Sequence, residues 1–301
     1  MVISACAQDA RIKIADIVVA MRNDDDRWRI KLDARLGPCA SDAVSDIMLD
    51  THYGILPDVD LNNKTFDSGS AWSSFEDAGK VIFALRSSVH GPDPTALAVI
   101  DTDFSSGDIY ISAKKLRFPS EKNIPMVCPL IHPLDQLTVV RLLSRREGVM
   151  LHSCGINYNG RGILFMGVCS AGKSTTAKLW QKEGCAILLN DDRNVIKRVA
   201  SRFYLYGTPW PGDVTSFSPE RVPLEKIFFL KQARENSAFR LSPADTASRL
   251  LVMSFPTLWD KEGMGSILKT ISEIAIHVPS YELSFLPDES SVDFVKNHRD
   301  I

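Results

Sequence analysis

The sequence predicts a two-unit chain of mixed α/β and α+β character. Three observations lead there: 301 residues with 45% apolar side chains, a strand, glycine-rich loop and helix in succession over residues 162–183, and a proline-bearing stretch at 122–133. The expected units are residues 1–130, an α+β unit, and residues 131–301, a mixed sheet with helices that contains the loop.

In the first unit, runs of β-branched and apolar residues predict strands at 12–21, 28–32, 81–85, 96–100 and 109–112. Ser105-Ser106-Gly107-Asp108 reads as the hairpin turn joining the last two, and residues 56–74 read as loop-rich. The stretch 122–133 carries Pro125, Pro129 and Pro133 and passes into a helix over 134–146. Two strand-like runs follow, 148–158 and 161–167, separated by Asn159-Gly160. That pair suits a type I′ turn because both central residues must adopt positive φ. A helix over 175–183 stops at Gly184, and a strand over 186–189 returns. Beyond it the pattern predicts a strand at 227–230, helices at 243–253 and 264–277, a strand at 281–285 and a last helix from 290. No internal repeat or low-complexity tract interrupts the chain.

The chemistry concentrates in Gly167-Val168-Cys169-Ser170-Ala171-Gly172-Lys173-Ser174, followed by Thr175. Two glycines free the backbone to curl so that successive N–H groups point at phosphate oxygens. Lys173 adds a compact charge near the β and γ phosphates of a nucleotide, and the Ser174 hydroxyl is placed to bind the Mg²⁺ that travels with ATP. A helix starting here contributes further unpaired N–H groups. Cys169 lies inside the loop, so its alkylation is expected to block nucleotide binding.

Two further groups converge on that loop. If Tyr158 pairs with Arg161 across the Asn159-Gly160 turn, the register sets Ile156 opposite Ile163, Cys154 opposite Phe165 and His152 opposite Gly167. The helix after the loop runs away from it, so the strand 186–189 comes back and delivers Asn190-Asp191-Asp192-Arg193 to the same end of the sheet. Two adjacent carboxylates there can divide the labour, one holding Mg²⁺ directly or through water and the other accepting a proton; in extended chain their side chains point apart, which leaves one of them able to serve only indirectly. The competing reading makes them turn residues capping the strand.

His152, the loop and the Asp191-Asp192 pair, in that order and spacing, resemble the catalytic core of the HPr kinase/phosphorylase family, whose fold is related to the phosphoenolpyruvate carboxykinases. The resemblance spans residues 134–230. It implies that Lys173 binds phosphate, that Ser174 binds Mg²⁺, and that the second acid, Asp192, acts as general base toward a serine hydroxyl with His152 assisting, which leaves Asp191 as the acid of the pair for Mg²⁺. The family's metal-site glutamate has no counterpart in residues 204–213 (Y-L-Y-G-T-P-W-P-G-D), where Asp213 is the one acid: either it substitutes as a metal ligand or the metal has fewer protein ligands. The family's glycine-rich segment for its protein substrate is also missing. The expectation is therefore an ATP-dependent kinase acting on a hydroxyl of a protein, peptide or small molecule, with a nucleotide-binding switch or scaffold as the alternative. A carboxykinase-like lyase would need a transition-metal site and an arginine cluster that the sequence does not display.

Thr208-Pro209-Trp210-Pro211-Gly212 reads equally as a rigid wall beside a ligand and as a packed corner. Arg193, Arg221, Lys226 and Lys231 are further cations that could meet phosphate, although each singly reads as a solvated surface charge. A net charge of −2 with no long basic run argues against a nucleic-acid partner. Six cysteines (Cys6, Cys39, Cys128, Cys154, Cys169, Cys185) without close spacing read as reduced thiols of a cytoplasmic protein. The first residues lack a basic region followed by an apolar stretch, and no apolar run approaches 18 residues, so neither secretion nor a membrane partner is expected. Asp24-Asp25-Asp26 is a short acidic turn. Substrate choice, regulation or homo-oligomerisation are the roles left open to the first unit.

Overall fold

A computed structural model describes residues 8–23, 25–69, 71–87, 91–113, 126–168 and 171–298. The chain divides into two compact units, Met1–Leu142 and Leu143–Ile301. The division falls inside a helix, Leu134–Ser144, whereas the compositional change in the sequence sits before it, at 130/131.

The first unit is an eight-stranded mixed sheet. Its strands are β1 (Asp9–Ile14), β2 (Ile17–Asn23), β4 (Ile47–Gly54), β5 (Lys64–Asp67), β6 (Trp72–Asp77), β7 (Lys80–Ser87), β8 (Gly91–Asp101) and β9 (Ser106–Ser112), in the order β1-β2-β4-β9-β8-β7-β6-β5. Two short strands, β3 (Arg29–Ile30) and β10 (Met126–Val127), pair separately. Among the described residues its helical content is a 3₁₀ turn at Gly37–Cys39 and the part of the Leu134–Ser144 helix, α1, that it holds. The apolar run 12–21 is two strands and not one, because Ala15 and Asp16 both take positive φ (50° and 61°) and reverse the chain. Apolar residues on both sides of this turn mask it. The β8–β9 reversal uses residues 102–105, with Phe104 at φ 58°, so Ser106, Gly107 and Asp108 lie in strand and not in the expected turn. The region 56–74 holds β5 and the start of β6. Asp24, Cys6 and residues 122–125 lie outside the described residues.

The second unit contains β11 (Gly148–Tyr158), β12 (Arg161–Met166), α2 (Lys173–Trp180), β13 (Ala186–Asn190), β14 (Arg193–Val199), β15 (Arg202–Gly207), β16 (Arg221–Gln232), β17 (Ser237–Arg240), α3 (Pro243–Val252), α4 (Lys261–His277), β18 (Ser280–Phe285) and α5 (Glu289–Asn297). The β11–β12 hairpin turns through Asn159 and Gly160 at φ 52° and 78°, as the type I′ signal requires. Two long strands each serve two neighbourhoods. The first half of β11 pairs with β14 and its second half with β12 and β13, while β16 starts against β15 and continues between β12 and β18.

Alternation along these strands sorts side chains into two cores. Cys154, Ile156, Ile163, Phe165, Phe228 and Leu230 pack with Ala177 and Trp180 of α2 and with Val292 and Val295 of α5. Their neighbours Val149, Leu151, Leu164, Met166, Ile227 and Phe229 pack with Leu250 of α3 and with Ile267, Ile271 and Ile274 of α4. The chain is thus mixed α/β, with two large mixed sheets and five helices among the described residues. None of those helices is long and apolar enough to cross a membrane.

Candidate functional site

Strands β12 and β13 both run antiparallel to β11, which lies between them. They are therefore parallel to each other, and α2 is the crossover that joins them. The glycine loop after β12 and the acids after β13 consequently leave the sheet at the same edge. A cleft of about 430 Å³ opens there, lined by His152, Lys173, Ser174, Asp191, Asp192 and Asp213, with Gly172, Thr175, Gly212 and Gln232.

The loop is shaped by its glycines. Gly172 has φ 111° and precedes the first turn of α2, and a Cβ there would sit 2.5 Å from Cζ of buried Phe285. A Cβ on Gly167 would meet the Ala171 Cβ at 2.6 Å, so the two ends of the loop approach as only glycine allows. Val168 is exposed, while Cys169 and Ser170 lie outside the described residues. The first backbone bond of α2 runs from Thr176 N–H to Gly172 O at 2.8 Å, which leaves the N–H groups of the first turn facing the cleft end of the helix. Lys173 Nζ folds back over the loop and donates to Gly167 O (2.7 Å) and Val168 O (3.4 Å).

His152 does not pair with Gly167. The β11–β12 ladder ends at Ser153–Met166, and His152 sits opposite Arg193 of β14, because β11 has by then passed to its second set of neighbours. Its backbone N–H donates to Met253 O at 2.7 Å. From there the imidazole reaches Asp192: Nδ1 lies 2.7 Å from Oδ1 and 3.2 Å from the backbone carbonyl of the same residue. The other carboxylate oxygen of Asp192 is held by the Arg193 guanidinium, which also lies over the Phe255 ring. Burial, the largest single influence, pushes the Asp192 carboxyl up. The His152 hydrogen bond and the positive charges of Arg193, His152 and Lys173 together outweigh it and hold the group below its ordinary value.

That balance has a sign. A carboxyl that titrates lower when folded favours the folded state while it is ionised, so its contribution is complete above about pH 5 and is lost as pH falls through the unfolded and then the depressed folded value. The stability gap between the wild type and Asp192→Asn is therefore expected to be constant from about pH 7 to 5 and to shrink on further acidification. Chemical denaturation across that range measures it, and a gap that widens toward low pH would contradict the assignment.

The capping role offered for the two acids belongs instead to Asn190, which is fully buried. Its Oδ1 accepts the N–H groups of Asp192 (2.7 Å) and Arg193 (2.8 Å), and its Nδ2 donates to Thr208 O (2.8 Å). Asp191 and Asp192 point apart. Asp191 is 3% exposed and accepts N–H groups from Gly212 (2.8 Å) and Val214 (2.9 Å). Asp213, between those two residues, receives the Ser174 hydroxyl at 3.1 Å. Trp210 is 2% exposed and packs as a corner and not as a wall of the cleft, whereas Gly212 at the end of the same segment does line it. Gln232, at the end of β16, lines the cleft without any motif to announce it.

The other cations are engaged elsewhere. Lys226 is buried and donates to His298 O at 2.8 Å, Lys231 meets Glu282 at 3.5 Å, and Arg221 reaches the Tyr206 hydroxyl at 3.4 Å. Among the described residues no group of three or more His, Cys, Asp or Glu side chains is arranged to hold a metal. The Ser174 hydroxyl and Asp213 carboxylate are a hard oxygen pair of the kind Mg²⁺ takes together with phosphate and water. Cys39, Cys128, Cys154 and Cys185 are free thiols, and burial pushes Cys39 up to about 12. Neither a protein-family model nor a curated protein matches the chain.

Proposed function

We propose that this chain is an ATP-dependent kinase, similar to HPr kinases and with their carboxykinase-like form of phosphate-loop fold, that moves the γ-phosphoryl group to a serine-like hydroxyl of a protein, peptide or small molecule. The observation that carries the reading is the His152–Asp192 pair facing the same cleft as Lys173 and Ser174. Binding a polyphosphate needs the loop, the lysine and the helix N-terminus alone. An ionised carboxylate oriented by an imidazole is a feature that phosphotransfer uses.

In this reading the N–H groups of the loop and of the first turn of α2 cradle the phosphates, and the Lys173 ammonium leaves Gly167 O for a phosphate oxygen. Ser174 and Asp213 would hold Mg²⁺, which when bound offsets charge on the β and γ phosphates. Asp192 orients the acceptor hydroxyl and takes its proton as the hydroxyl oxygen bonds to phosphorus and the bridging oxygen leaves with ADP. A depressed carboxyl is adequate for this, because the transition state is loose and the proton moves late; positioning matters more than basicity. We place the reaction in the cytoplasm, where ATP is available and free thiols persist.

The test is label transfer. Purified protein with Mg²⁺ and γ-labelled ATP is expected to leave label in an acid-stable phosphoester on an acceptor, screened among hydroxyl-bearing small molecules, peptides and proteins. Nucleotide binding without any such product would replace the kinase with a nucleotide-binding switch.

A further inference from the structure

We propose that Asp191 is a positioning residue and not a metal ligand: its carboxylate holds the backbone on either side of Asp213 and thereby presents the Asp213 carboxylate to the Ser174 hydroxyl. The inference rests on the nucleotide-binding reading of the cleft and adds to it a division of labour among three acids.

The last residues of β13 and the one after them grip the loop between β15 and β16 in succession. Leu189 O accepts the Ser218 N–H at 3.0 Å, Asn190 Nδ2 donates to Thr208 O at 2.8 Å, and Asp191 takes the N–H groups of Gly212 and Val214. Each Asp191 oxygen receives one amide, Oδ1 at 2.8 Å and Oδ2 at 2.9 Å, and the side chain is almost fully buried. Two bonds to alternate residues fix both the position and the plane of the peptide that carries residue 213. From that peptide the exposed Asp213 side chain reaches the start of α2, where Oδ2 lies 3.1 Å from Ser174 Oγ. For Asp191 to swing toward a cation, two backbone amides would lose their acceptor at once.

Gly212 makes this approach possible. A Cβ at that position would lie 2.9 Å from the Asp192 Cβ and 3.2 Å from Asp191 Oδ2, so any side chain would push the loop off its clamp. Pro209 and Pro211 restrict the chain just upstream, and buried Trp210 anchors it. The loop is thus pinned to the end of β13 on both sides of Asp213.

The dissociation constant for ATP, measured with Mg²⁺ and again in EDTA, separates these roles. In Asp213→Asn the tightening that Mg²⁺ produces, taken as the ratio of the two constants, is expected to fall about tenfold or more. Asp191→Asn, which removes one of two acceptors, is expected to lose a comparable share of the tightening. The double variant should be no worse than Asp213→Asn, because Asp191 acts through Asp213; a residue with an independent structural role would add its effect. An additive double variant, or an Asp191→Asn protein that keeps the full tightening, overturns the inference. If Asp191→Asn does not fold, Gly212→Ala releases the same clamp with Asp191 intact, and undiminished tightening in that protein also overturns it. A wild type that binds no ATP under either condition removes the reading of the cleft, and this inference with it.

Discussion

Asp192→Asn is expected to bind Mg·ATP as the wild type does and to transfer phosphate about 10²–10⁴-fold more slowly. Asparagine has the same shape, and its Oδ1 can still accept from Arg193, so the cleft and the Lys173 loop are undisturbed. The amide cannot take a proton from the acceptor, and it no longer presents a negative oxygen to the imidazole 2.7 Å away. The loss should fall on turnover and not on the affinity for ATP. Lys173→Ala supplies the contrast, since the ammonium is the one cation of the phosphate loop and its removal is expected to abolish binding itself. Single-turnover label transfer and equilibrium nucleotide binding, measured on both variants, separate the outcomes. Undiminished transfer by Asp192→Asn would remove the base assignment.

Trp180→Ala is expected to destabilise the second unit by about 3–5 kcal/mol. The indole is 1% exposed at the last residue of α2, with ring centroids 5.4 Å from Tyr158 and 5.9 Å from Phe165, and it anchors the helix to the β11–β12 face of the sheet. Truncation opens a cavity between two rigid elements that cannot close around it. Because α2 begins at Lys173, loosening its far end also loosens the loop, and ATP affinity should fall with stability. The denaturant midpoint should drop with an unchanged slope. Val252→Ala on α3, where the side chain is 76% exposed, should change stability by no more than about 0.5 kcal/mol, and a similar result for Trp180 would refute the anchoring role.

Much of the second unit was legible because its signals are local. Asn159-Gly160 demands positive φ at two successive residues, and apolar runs on both sides then dictate a hairpin and its register as far as Ser153–Met166. Gly172 before Lys173 marks a loop that turns into a helix, and the apolar periodicity of α4 is plain over its length. The first unit was harder to read. Its apolar run 12–21 continues through the Ala15–Asp16 turn, so periodicity cannot register the reversal, and β4 carries polar residues on its second face.

The acid pair shows where local reading ends. Asn190, Asp191 and Asp192 are interchangeable as turn formers by composition, yet they take three jobs: Asn190 caps the turn, Asp191 grips the loop at 212 and 214, and Asp192 meets the imidazole. The Asn190 cap is local, but the jobs of the two acids depend on partners 21 to 40 residues away in the chain.

By itself, then, the sequence determined the elements whose causes lie within a few residues: the tight turn, the glycine loop, the helix start and the alternation that builds two cores around one sheet. The tertiary structure alone decided which neighbour each half of β11 chose, which acid met the imidazole, and that Gln232 would join the cleft while Trp210 would not. The reason is physical. Backbone φ preferences and side-chain periodicity act over one or two turns of chain, whereas the orientation of a buried polar group is set by whichever distant amide or ring satisfies it after the strands have packed.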